Sequence, residues 1–81
     1  MKLRIIYSLN EYEQLISEFF NMNIHVDYDG DLSYRDLEKQ KSISDNDVRE
    51  KINKHMNIEV IAIRTYHNVD SIYVDILYDE T

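Results

Sequence analysis

Oxygen-bearing side chains recur at alternate positions from Asp27 to Ser33, carboxylates at the first, third and fifth places and the Ser33 hydroxyl at the seventh, and Glu38 follows at the twelfth. Hard oxygen donors at that spacing are what a calcium ion takes from a twelve-residue loop. His25 and Asp27 stand two apart, on one face of an extended chain, as half of a metal site would. The three histidines are scattered, however, and the chain has no cysteine, so it offers no thiolate zinc site, thiol nucleophile or disulfide. A single glycine, Gly30, excludes phosphate-cradling loops and dinucleotide fingerprints, which need several. No serine and histidine form a recognisable pair, and among sixteen carboxylates no couple stands out as an acid and a base. We therefore expect no enzymatic activity, no metal and no cofactor.

The acids themselves are the stronger signal. From Ile5 to Tyr34 there is no lysine or arginine, while Glu11, Glu13, Glu18, Asp27, Asp29 and Asp31 fall there. After Arg64 the pattern returns with Asp70, Asp75, Asp79 and Glu80. The net charge of -7 is thus polarised along the chain, and a one-signed surface selects cationic partners. Direct binding to nucleic acid is not expected, because phosphates call for clustered cations, whereas Lys39, Lys41, Arg49, Lys51 and Lys54 are diluted by acids. Solubility alone explains an acidic surface but not the segregation of its charges. Tyrosines accompany the acids in Glu11-Tyr12-Glu13, Asp27-Tyr28-Asp29 and Tyr78-Asp79-Glu80, adding contact area beside carboxylates that steer a basic partner.

These groups must be positioned by a single domain spanning residues 1–81. Residues 2–7 alternate as a strand with Leu3, Ile5 and Tyr7 on one side. Ser8 and Glu11 make a capping box, and Tyr7 and Tyr12 stand where a hydrophobic staple needs its partners. Tyr12, Leu15, Ile16, Phe19 and Phe20 form the buried stripe of that helix, leaving Glu11, Glu13, Gln14, Ser17, Glu18 and Asn21 outward. Ile24, Val26 and Tyr28 alternate as a strand, Leu32 and Tyr34 resume the pattern, and Asp29-Gly30 between them predicts a type I′ hairpin turn. Residues 35–42 read as the end of that strand and a connection. Ser44 caps a second helix with Val48, Ile52, His55 and Met56 inward, and residues 58–78 read as two strands joined around residues 66–70. No internal repeat is visible.

The segment Asp27–Glu38 resembles the EF-hand calcium loop, with two departures: Leu32 stands where that loop turns on glycine, and Tyr34 replaces its usual aliphatic residue. The hairpin claims the same residues and is the expectation we adopt, with calcium binding through 27–38 as an alternative. The order β-α-β-β-α-β-β predicts an α+β fold: one antiparallel sheet of four to five strands, two helices on one face, related to the ferredoxin-like sandwich.

The absence of proline and the abundance of Ile, Asn, Tyr and Asp match translation of an AT-rich gene, as in a low-GC bacterium or its phages. The amino-terminal residues do not read as a signal peptide, no apolar run is long enough for a membrane, and a cytoplasmic location is expected. The expected function is an inhibitor that blocks a basic, nucleic-acid-binding groove of a host protein by mimicry, of the anti-CRISPR, anti-restriction or nuclease-inhibitor type. Its contact residues would be Glu11, Glu13, Glu18, Asp27, Asp29 and Asp31, with Asp75, Asp79 and Glu80 as a second patch. The alternative is a module that self-associates as a homodimer, through a sheet edge or the tyrosine-bearing face of its last strand.

Overall fold

A computed structural model describes residues 1–80. The elements are β1 (Lys2–Ser8), α1 (Leu9–Phe20), β2 (Ile24–Asp29), β3 (Asp31–Asp36), β4 (Lys41–Ile43), α2 (Asp45–Met56), β5 (Ile58–Asn68) and β6 (Ser71–Glu80). The strands form two antiparallel three-stranded sheets, ordered β1-β6-β5 and β2-β3-β4. This corrects the expectation of one sheet of four to five strands, and with it the ferredoxin-like arrangement. The first strand crosses to the carboxy-terminal hairpin, Ile5 facing Ile76 and Tyr7 facing Val74, instead of joining β2 and β3. The place it leaves beside β3 is taken by β4, three residues lying where only a connection was expected, with Ile43 opposite Tyr34.

The two halves have the same plan, which the sequence conceals. Each is strand, helix, hairpin, and each lends its first strand to the other half's hairpin: β1 pairs with β6, and β4 with β3. Both helices have twelve residues, a serine N-cap (Ser8, Ser44) and an asparagine C-cap in the left-handed region (Asn21, Asn57). Ser8 completes the anticipated capping box with Glu11, and Tyr7 packs near Tyr12 with ring centroids 6.5 Å apart. Tyr12 and Ile16 of α1 occupy the places of Val48 and Ile52 of α2, all fully buried, and they meet Ile24, Val26, Tyr34, Val60, Val74 and Ile76 in one core. The helices thus serve both sheets, and the molecule is flat, 38 × 32 × 17 Å. No helix among the described residues is long and apolar enough to cross a membrane.

Each helix also closes one sheet edge. The Ser17 hydroxyl accepts from the Ile24 N–H and donates to its carbonyl (3.1 and 3.2 Å), and Glu13 Oε2 accepts from the Val26 N–H at 2.9 Å. In the other half, Asn53 Oδ1 accepts from the Val60 N–H at 2.8 Å. Glu13 and Ser17, expected to point outward, are therefore half-buried clasps that satisfy backbone groups of edge strands.

Candidate acidic interface

Asp27, Asp29 and Asp31 are placed by the β2–β3 hairpin. Residues 24, 26 and 28 turn inward, with Val26 opposite Tyr34 and Tyr28 opposite Leu32, so the odd-numbered residues share the outer face. Asp27 lies across from Ser33, and Asp29 directly across from Asp31. The turn is tighter than expected: Gly30 alone bridges the paired aspartates, at φ +86, so the two positive φ values of a type I′ turn are not present. At the base of the same face Arg35 stands across from His25, so the face carries a cation at its root and anions at its tip.

The hairpin spreads the residues of the calcium-loop pattern along a strand pair. Asp27, Asp29, Asp31 and Ser33 project from a flat face, and Glu38 lies beyond the strand, in the turn that Asp36 organises by accepting from the Glu38 and Lys39 N–H groups. No group of three or more His, Cys, Asp or Glu among the described residues is arranged to hold a metal ion.

Along the flank of the hairpin runs α1. Glu13, besides its bond to β2, lies 3.1 Å from His25 Nδ1 and so joins the helix to the acidic face. Glu11 is exposed, with its pKa held below the ordinary value by the hydrogen bonds of the capping box at Ser8. Glu18 is exposed on the same helix. Between Ser8 and Asp36 six carboxylates face a single arginine, Arg35. Asp27 accepts from the Tyr28 N–H, while Asp29, Asp31 and Glu18 enter none of the ion pairs found among the described residues.

The second expected patch is not assembled. Asp75 is buried on the outer face of β6, gripped by Arg4 through Nε and Nη2, the shortest contact being 2.6 Å. Asp79 shares that face, close to the Met1 amino group at 3.9 Å, whereas Glu80 belongs to the opposite face by strand alternation.

Two features were not foreseen. The hydroxyls of Tyr12 and Tyr34 meet 2.8 Å apart inside the core, and burial raises the pKa of both phenols, that of Tyr34 to about 12. Tyr12 is fully sealed and either hydroxyl can donate to the other; of the two residues, Tyr34 lies nearer the surface. It faces the second feature, a cleft of about 470 Å³ between the hairpin tip (Gly30, Asp31), the start of α2 (Asp45, Arg49) and β5 (Ile63, Arg64). The only trace of the tyrosine pair in the sequence was that Tyr12 and Tyr34 both fell on inward stripes. Comparison with protein-family models, with curated proteins and with solved structures finds no match.

Proposed function

We propose that this protein is a non-enzymatic inhibitor whose acidic tip, Asp27, Asp29 and Asp31, enters a basic groove on a nucleic-acid-binding protein, with Glu11, Glu13 and Glu18 of α1 along its flank. The observation that carries the proposal is Asp29 opposite Asp31. Like charges directly across a hairpin destabilise it, and here they sit at an exposed tip without an ion-pair partner among the described residues. A cationic groove relieves that repulsion on binding, so affinity is gained where the free protein bears a cost. Carboxylates held at the two-residue repeat of a strand, roughly 7 Å, then stand in for phosphates against Lys and Arg. In this proposal the chain comes from a phage or mobile element and acts in the host cytoplasm as an anti-CRISPR, anti-restriction or nuclease-inhibitor type of protein.

The test is retention of a host nucleic-acid enzyme on the immobilised protein, followed by elution with DNA or RNA at constant salt. The expected result is release by the competitor and at least about tenfold weaker binding for each of Asp27→Lys and Asp29→Lys, equivalent to about 1.4 kcal/mol. Retention that ignores both reversals and the competing nucleic acid refutes mimicry.

A further inference from the structure

The two sheets share a plan, yet their outer faces are opposites. That of β2-β3-β4 is polar throughout: His25, Asp27, Asp29, Asp31, Ser33, Arg35 and Ser42. An antiparallel sheet with one face in water is expected to look like this. The outer face of β1-β6-β5 does not. Its register places Ile6 beside Asp75 and Arg64, Tyr73 beside Tyr66, and Leu77 beside Ala62. Ile6 is 49% and Tyr66 40% exposed, and the Tyr66 and Tyr73 rings stack with centroids 5.3 Å apart. In their midst the Asp75 side chain is only 8% exposed, held by Arg4.

Charge separates the faces just as sharply. Lys2, Arg4 and Arg64 on this face are balanced by Glu59, Asp75 and Asp79, so the rest of the molecule carries the whole net charge of -7. Two copies repel one another by any approach that brings their acidic hairpins together, and the balanced face lies on a different sheet from those hairpins. We propose that the outer face of β1-β6-β5 docks a second copy of this chain, forming a twofold dimer.

The register supplies a complementary fit. The Tyr66–Tyr73 row and the Ala62–Leu77 row lie on either side of the Arg64–Asp75 row. A twofold axis across the strands at Asp75 lays the two tyrosines of one copy over the smaller Ala62 and Leu77 of the other, in both directions at once, as an isologous contact requires; of the charges on the axis row, each Asp75 is already paired with Arg4 of its own copy, and the Arg64 side chains are the like charges that must turn aside. Three strands about 4.8 Å apart present a small face, so the dimer is reversible and its acidic tips remain free. The dimer does not rest on the mimicry proposal: it uses the other sheet.

Sedimentation equilibrium of the whole chain from about 1 μM to about 1 mM, at about 0.15 M and about 1 M salt, tests it. The expected result is a monomer–dimer equilibrium that persists at high salt, with dimerisation weakened at least about tenfold, that is, a Kd raised about tenfold or more, in Ile6→Glu and in Tyr66→Lys. Both positions are substantially exposed, and circular dichroism verifies that each variant keeps the fold. Ser33→Lys, on the polar face, leaves the equilibrium unchanged. A chain that stays monomeric throughout, a dimer that dissolves in salt, or one indifferent to both variants overturns the proposal. The first of these would leave the face to another protein or to solvent.

Discussion

At the scale of single residues, the buried phenol pair makes the sharpest prediction. With Tyr34→Phe, the sealed Tyr12 hydroxyl loses its partner, and an unsatisfied buried donor costs about 1–3 kcal/mol. Replacing both tyrosines by phenylalanine removes both polar groups, so the double variant is expected to be no less stable than Tyr34→Phe alone in urea unfolding. The same pair sets the alkaline limit. Burial raises Tyr34 from 10.0 to about 12, so the unfolded chain loses its proton first. The stabilisation is complete below pH 10 and is lost as pH rises towards about 12. Thermal melts across that range, followed by tyrosinate absorbance, are expected to show ionisation arriving with unfolding, and the double phenylalanine variant is expected to decline less steeply.

The two hairpins differ, at the scale of elements, in how they turn. Gly30 supplies its positive φ without strain, and nothing lies within 4 Å of where a Cβ would stand, so Gly30→Ala is expected to cost about 1 kcal/mol from conformation alone. Val69, at the other tip, adopts φ 54 although it is β-branched, and it is 94% exposed. Val69→Gly is expected to stabilise by about 1 kcal/mol, a gain readable as a raised urea midpoint. The clasps make an elementary prediction too. Ser17→Ala and Asn53→Ala each free backbone groups of an edge strand, and each is expected to lower stability by about 1–2 kcal/mol and to speed amide exchange locally, at Ile24 in the first and Val60 in the second. Ser17 holds both backbone groups of Ile24 and Asn53 only the N–H of Val60, so the first effect is expected to be the larger.

For the molecule as a whole, polarised charge sets stability against binding. Asp31→Asn removes the cross-strand repulsion with Asp29 and is expected to raise stability by about 0.2–1 kcal/mol while weakening partner binding. The melting temperature of the native chain is expected to rise between about 0.01 M and about 0.15 M salt, as the screening length falls from about 30 to about 8 Å, and to rise less in Asp31→Asn. Binding to a basic partner responds in the opposite sense, because the same salt weakens its attraction. Differential scanning calorimetry and titration calorimetry in one buffer series separate the two.

The sequence by itself determined what depends on near neighbours. Ser8 with Glu11 and Ser44 with Asp47 announce their helices because a cap bonds three residues ahead. Alternation around Gly30 announces the hairpin, and that alone brings Asp27, Asp29 and Asp31 onto one face. Only the tertiary structure decided how distant segments share their partners. That β1 belongs with β6 follows from the sixty-two residues between Ser8 and Ser71 packing around Tyr12 and Ile16, and no local pattern records it. With that pairing came the division into two sheets, the burial of Asp75 under Arg4, and the loss of the second acidic patch. The strand Lys41–Ile43 stayed hidden because a three-residue strand with one apolar side chain has no period to read; it exists because β3 offers it an edge. The repeat of the two halves was invisible for the same reason: it is held in caps, clasps and strand exchange, where Ser17 does the work of Asn53 and Tyr12 that of Val48.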